Sequence, residues 1–362
     1  MNQDPEIWNE EYLPIDDLID EEENIGDIQS KEEELVLMVL LQLFACQNRY
    51  FLSDAALESV IKILKLFLTL IGDRLSFPGF DRLLLHFPSS LFLAKKKSGV
   101  HNNTSKKYVC CTSCSSIYPP ESCSKIVDGK KESKLCSFVR FPNHPQSKFR
   151  SQCGEVLMKS ICSADSKTNY IYPKKLYCYN PLIQSLQSLV TRTEIRKSLL
   201  DGPVKSTNET MFDTIDGNFW KDFKDVDGKP YFDDKRNLGA ILNIDWFEPF
   251  ENIQYSCGVI YLAILNLPRE LRFKWENIII VGIIPGPKEP SLTVNTFLKP
   301  FVDDLLLLWS EGVLLNEDGS QAYYKFALCC ISSDLPATRK CCGFVSYNAT
   351  LGLYSYLISV MA

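Results

Sequence analysis

Eight of the fourteen cysteines in this 362-residue chain fall between Cys110 and Cys178. So dense a cluster constrains the fold more than any other feature: it means a disulfide scaffold or a metal-organised module. The chain opens MNQDPEIWNEEYLP, which is acidic and has no apolar run after a basic start, so no secretory leader is expected. In the nucleus or cytoplasm, the expected location, thiols stay reduced. Clustered cysteines there point to metal rather than to cross-links.

The segment Cys111-Thr-Ser-Cys114 has C-x2-C spacing, which brings two thiolates within reach of one tetrahedral Zn2+. Cys110 and Cys114 are also within reach of one ion, but C-x2-C is the usual knuckle. The remaining ligands must come from Cys123, Cys136, His144 or Cys153. The metal set is read as Cys111, Cys114, Cys136, His144 and Cys153, five candidates for four places. His144 or Cys136 is the first to be dropped. The competing reading is a set of small buried thiols with an ordinary loop histidine. Arg140, Lys148 and Arg150 lie between candidate ligands and are expected to face solvent, where they can contact nucleic-acid phosphates.

Charge separates along the chain. Residues 1–34 carry fourteen acidic side chains and one lysine, and are expected to be a disordered tail. From Lys95 to Lys175 there are sixteen basic residues against five acidic ones. The overall charge of −6 therefore averages an acidic tail with a basic body of the kind that binds nucleic acid.

Residues 35–94 read as helical. Leu35, Met38, Val39, Leu43 and Cys46 form an apolar face, widened by Leu37, Leu40, Leu41 and Phe44, so this helix is expected to be buried on most sides. A second helix starts at Ser53-Asp54 with Leu57, Ile61, Leu64 and Leu68 on one side. The pair could cap a domain, bind a partner or self-associate. No apolar run reaches the roughly 20 residues of a membrane span. Residues 95–165 read as the basic zinc module and 166–236 as a helical and loop linker. The linker holds one helix near Pro181–Leu200, with Trp220 and Phe223 as anchors.

From 237 the pattern becomes that of a mixed sheet. Strands are expected at Leu238–Asp245, Tyr255–Leu265, Trp275–Ile284 and Ala322–Ile331. A helix from about Leu292 to Glu311, kinked or restarted at Pro300, precedes the last strand. Short links favour an antiparallel meander, then a helical crossover to a parallel strand. That is the β-β-β-α-β opening of an RNase H-like α/β core. The first and fourth strands lie side by side, so Asp245 and Asp334 should sit at neighbouring strand ends. Two carboxylates there can share Mg2+ or Mn2+ for phosphoryl transfer. Each alone is as readily a turn residue.

In order, NIDWFEPF, YSCGVIYLAILNLP, NIIIVGIIPGPKEP, FLKPFVDDLLLLWSEGV and SSDLPATRKCCGF resemble the catalytic region of En/Spm-like (CACTA) DNA transposases. YVCCTSCSSIY and FVRFPNHPQSKFRSQCG resemble the Cys-rich region ahead of that core in related fungal members. The likeness spans about residues 105–350. It implies a cut-and-paste transposase of DDE/DDD type acting on transposon-end DNA, with Asp245 as first acid and Asp334 as second. After Asp334 the sequence has no Asp or Glu. The expectation is a C-terminally truncated core, lacking its last strand, that binds nucleic acid without cutting it.

Two alternatives compete. One is a domesticated interaction scaffold with no enzymatic role. The other is an intact nuclease taking a third acid from Asp303 or Asp304, which read instead as exposed helix acids. Asp213, Asp216, Asp225 and Asp227 read as a solvated loop, and IPGPKEP lacks the spacing of a phosphate loop.

Overall fold

The computed structural model describes residues 31–50, 52–75, 80–99, 105–127, 129–141, 144–162, 169–203, 210–290 and 293–342. The acidic tail to residue 30 and the segment after 342 lie outside them. The chain divides into two compact units, residues 1–103 and 104–362.

The first unit is helical: α1 (Lys31–Tyr50), α2 (Asp54–Leu75), α3 (Phe80–His86) and α4 (Leu91–Lys97). Glu32, Glu33 and Glu34 occupy the first turn of α1 and Arg49 the last, matching the helix dipole. Its core face is Val36, Leu40 and Phe44, packed with Leu57, Ile61, Phe87, Leu91 and Ala94. Of the broad apolar surface expected from sequence, Leu40 and Phe44 are buried and Leu43 packs against the core, but burial on most sides does not hold. Leu35, Met38 and Val39 are exposed, as is Cys46. Both faces of α1 are apolar, so periodicity alone does not choose between them. On α2 the expected side is the buried one, but a second stripe of Ile63, Leu66, Phe67 and Leu70 is exposed. No described helix is long and apolar enough to cross a membrane.

The second unit contains β1 (Lys106–Cys110), β2 (Ile117–Tyr118), β3 (Ser124–Val127), β4 (Lys130–Ser133), β5 (Met158–Cys162), β6 (Asn169–Pro173) and β7 (Leu176–Tyr179). Next come α5 (Leu182–Thr191), α6 (Thr193–Asp201), α7 (Asn218–Asp222), β8 (Asn237–Phe247), β9 (Cys257–Ile264) and α8 (Arg269–Arg272). Last are β10 (Ile279–Ile284), α9 (Val294–Ser310), β11 (Val313–Glu317), β12 (Ser320–Ile331) and α10 (Leu335–Cys341). The expected single helix at 181–200 is therefore two, broken at Arg192, whose backbone is extended and whose guanidinium donates to the Glu276 carbonyl.

Eight strands form one mixed sheet in the order β11-β12-β8-β9-β10-β7-β1-β2. The meander is as read from sequence: β8 pairs antiparallel with β9, β9 with β10, and β12 returns parallel to β8. The sheet also takes strands where the sequence showed none, through β7 against β10 and β1 against β7. Both are short, and neither KKYVC nor LYCY alternates apolar and polar residues. β12 is shared: Ser320–Tyr324 pair with β11, and Lys325–Ile331 pair with β8. α9 continues through Pro300.

One sheet face holds the core. Leu238, Ala240, Leu242 and Ile244 pack with Ile260, Leu262, Val281, Phe297, Phe301, Leu305 and Leu308. On the other face, Trp220 stacks on Phe232 with centroids 3.4 Å apart, and both pack with Ile241 and Cys329. Ile280 and Ile283 of β10 are about half exposed, so that strand, apolar on both sides, is central by pairing but open on one face.

Two acidic features depart from expectation. Asp213 is a buried partner of Arg272, bidentate at 2.7 and 2.8 Å, with side chains only 7% and 4% exposed. Asp216 is also buried, accepting from the Phe212 and Asp213 N–H groups. Asp304 is not a free surface acid. It accepts from the Tyr179 hydroxyl at 2.6 Å and the Leu182 N–H at 2.9 Å, tying α9 to the start of α5. Periodicity identifies the face of a helix but not a polar bond made on its margin.

Candidate metal centre and strand-end carboxylates

β1 runs out of the core at Cys110, which is buried in it. One residue on, Cys111 opens a tight turn. Ser115 N–H donates to the Cys111 carbonyl at 3.0 Å, and Cys111 N–H to the Ser116 carbonyl at 2.9 Å. Ser115 has φ 61°, the left-handed conformation that lets the chain reverse into β2 and bring Cys114 beside Cys111. The second pair is held differently. Cys136 N–H donates to the Glu155 carbonyl at 2.7 Å, Gly154 N–H to the Cys136 carbonyl at 2.9 Å, and Cys153 N–H to the Phe138 carbonyl at 2.8 Å. Gly154, at φ 71°, supplies the left-handed step. These bonds close the base of the segment between Cys136 and Cys153, of which residues 137–141 and 144–152 are described.

The sulfurs of Cys111, Cys114, Cys136 and Cys153 all lie within 4.8 Å of one another, so the four could hold a metal ion. Cys111–Cys153 are 3.8 Å apart and Cys114–Cys136 3.5 Å. A tetrahedron with Zn–S bonds of about 2.3 Å has sulfur–sulfur edges of about 3.8 Å, whereas a disulfide is about 2.05 Å. The donor set therefore fits zinc and not a cross-link. Burial pushes the Cys111, Cys114 and Cys136 thiols up. At Cys153 burial acts the same way, but the Glu155 N–H and neighbouring thiols outweigh it and the thiol falls. Two further partners were not singled out from sequence: the Tyr118 hydroxyl is 3.2 Å from Cys136 Sγ, and the Ser116 hydroxyl 3.3 Å from Cys114 Sγ. Such outer contacts orient thiolate ligands.

Of the five sequence candidates, His144 is outside this cluster. It is exposed, and its Nδ1 accepts from the Gln146 N–H at 3.1 Å. Cys136, provisionally expendable, takes the place. Cys123 donates to the Pro119 carbonyl instead. Cys110 is held as a thiol, pushed up to about 12 by burial. Arg140 and Lys148 are exposed and Arg150 half-buried, all on the loop between Cys136 and Cys153.

The carboxylates lie at the ends of β8 and β12. The parallel register pairs Leu242 with Ile331. It is extended by Ser332 N–H to the Leu242 carbonyl and Ile244 N–H to Ser333 Oγ, both 2.8 Å. Asp245 and Asp334 therefore follow adjacent strands in the same direction, and both are exposed. Asp245 Oδ1 accepts from the Trp246 N–H at 2.9 Å. Asp334 caps α10, its Oδ1 accepting from the Ala337 N–H at 2.7 Å. Gly258 on β9 makes room at this end, since a Cβ there would lie 2.5 Å from the Trp246 ring. Tyr261 shares this face, its hydroxyl pushed up by burial and by the Asp245 charge.

Residues 208–353 match the pattern of the transposase family tnp2. Over that stretch the chain is similar to the tnp2 transposases. The finding agrees with the En/Spm-like resemblance read from the strand motifs. No curated protein matches the chain. The tnp2 stretch runs from before β8 to beyond α10 and contains Asp245 and Asp334. The cysteine centre precedes it.

Proposed function

We propose that this is a transposase-derived protein that binds DNA through its zinc-organised loop and does not cut it unaided. The observation that carries the reading is the parallel register of β12 on β8 inside a tnp2 transposase stretch. That strand order is the one an RNase H-like core requires: a three-strand meander, a helix, and a parallel fourth strand beside the first. Asp245 and Asp334 would be two acids of a DDE/DDD site. Among the described residues they form no group of three or more metal-binding side chains. Two exposed carboxylates, each engaging a backbone N–H, are a poor site for Mg2+ or Mn2+. Zinc at the cysteine centre is structural: four protein ligands leave no open position for chemistry.

Arg140, Lys148 and Arg150 supply phosphate contacts. The test is a titration of full-length protein with transposon-end DNA across ionic strength. Arg140→Ala/Lys148→Ala/Arg150→Ala should weaken binding and lower the salt slope by about 2–3. Unchanged binding would overturn the reading, as would metal-dependent nicking lost in Asp245→Ala.

A second reading rests on α2, whose exposed Ile63, Leu66, Phe67 and Leu70 repeat at three- and four-residue spacing. A helix packs on a copy of itself by this spacing, which supports self-association and a scaffold role. Sedimentation equilibrium of Leu66→Glu/Leu70→Glu tests it: a monomeric wild type counts against it.

A further inference from the structure

We infer that the loop between Cys136 and Cys153 is a stacking platform for unpaired nucleobases, so that its preferred ligand is single-stranded or frayed nucleic acid rather than intact duplex. The inference rests on the proposed DNA-binding role and names the form of nucleic acid it takes.

Phe141 and Phe149 are 57% and 78% exposed. Among the described residues neither ring belongs to a core cluster, and Phe141 sits at φ 53°, a conformation that a bulky residue adopts at a cost. Packing does not account for either side chain. Both rings are instead set among cations. The Arg140 and Arg150 guanidinium carbons each lie 5.3 Å from the Phe141 centroid, and Lys148 Nζ lies 5.1 Å from that of Phe149. Arg150 also donates to the Arg140 carbonyl at 2.7 Å, fixing one arginine against the other. Residues 137–152 contain no Asp or Glu.

Flat apolar rings interleaved with fixed positive charge complement a ligand that is anionic along its length and offers flat faces. Unpaired nucleic acid has both properties, with bases that stack on aromatic rings or guanidinium planes and phosphates that meet the cations. An intact duplex hides its base faces and offers only phosphates and edges. An anionic membrane also attracts aromatic and basic side chains. The cations here, however, lie against the rings themselves, where insertion into lipid would strip them of water. Cys136 and Cys153 of the cysteine cluster lie at the two ends of this segment, so a metal bound there would hold the base of the platform closed.

The experiment uses the full-length zinc-loaded protein and fluorescence anisotropy with a labelled single-stranded oligonucleotide, the same sequence as duplex, and phosphatidylserine vesicles. Phe141→Ala/Phe149→Ala should weaken single-strand binding at least about tenfold, change duplex binding less than about twofold, and retain zinc. Phe149→Trp should keep single-strand affinity and show indole quenching on binding. Equal loss on both nucleic acids, no loss on either, or tighter binding to vesicles than to oligonucleotide overturns the inference. If Arg140→Ala/Lys148→Ala/Arg150→Ala abolishes binding while the phenylalanine pair changes nothing, this inference fails and the DNA-binding role stands. If the wild type binds no nucleic acid, both fail.

Discussion

The cysteine centre and the strand-end carboxylates are both groups of acidic ligands brought together by β structure, yet one closes on itself and the other does not. At the centre, one tight turn sets Cys114 beside Cys111 and the base of a longer loop sets Cys153 beside Cys136, and backbone bonds to Cys111, Cys136 and Cys153 fix the approach. At the strand ends, Asp245 and Asp334 run side by side, but each carboxylate is turned to a nearby N–H. A sheet register aligns main chains. Turning side chains toward one point takes a further constraint, and only the cysteine loops have it.

The largest effect should come from stripping the cysteine centre of its metal. Structural zinc contributes about 10–16 kcal/mol of apparent binding free energy. Cys111→Ser or a strong chelator should therefore release bound zinc and make residues 105–162 protease-sensitive. Asp245→Asn/Asp334→Asn should leave zinc content and protease resistance unchanged. Elemental analysis with limited proteolysis reads both.

Asp213 sharpens the contrast from the carboxylate side, because it is committed where Asp245 is not. Asp213→Ala strands Arg272 in a buried site and should cost about 3–5 kcal/mol in urea unfolding.

The same pair predicts a pH dependence. Burial alone would raise the Asp213 carboxyl, but Arg272 outweighs it and the folded value lies below 3.8. Its contribution is complete above the unfolded value and is lost as pH falls through the folded one. Asp213→Asn should therefore lose less stability than the wild type as pH falls below about 4, the remainder coming from other paired carboxylates such as Glu317. Zinc follows the same direction for a different reason: the ion must displace protons from buried thiols, so its affinity falls as pH falls.

Smaller effects separate the two strand-end acids. Asp334→Ala removes a helix cap and should cost about 1 kcal/mol. Asp245→Ala, exposed and bonded only to its own neighbour, should change stability by less than about 0.5 kcal/mol. A cost at Asp245 as large as at Asp213 would show that the strand-end site is built more tightly than its hydrogen bonds indicate.

Much of this was legible in the chain. The meander and crossover followed from long apolar runs with short links, and the C-x2-C knuckle announced itself by spacing. Cys136 and Cys153 were harder, because sixteen residues separate them and their relation is made by cross-chain backbone bonds. β1 and β7 were not legible as sheet strands, since KKYVC and LYCY are too short to show a period. Asp213 and Asp304 were misread as solvated because a buried ion pair and a helix-end tie depend on partners over fifty residues away. On α1, two apolar stripes made the core face ambiguous until α2 and α4 chose it.

The doublet Cys110-Cys111 places one residue type in two unlike surroundings across a single peptide bond: a dry core and the four-cysteine candidate metal centre. Because side chains alternate along β1, slipping the strand by one position would exchange the two sulfurs. The same slip would move Tyr108 off the core that Cys110 joins and carry the buried Val109 to the other face. The turn that follows would also have to change its length by one residue. The knuckle therefore acts as a ruler for the sheet edge as well as a metal site, and lengthening it by a single residue should produce a chain that counts its own strand wrongly.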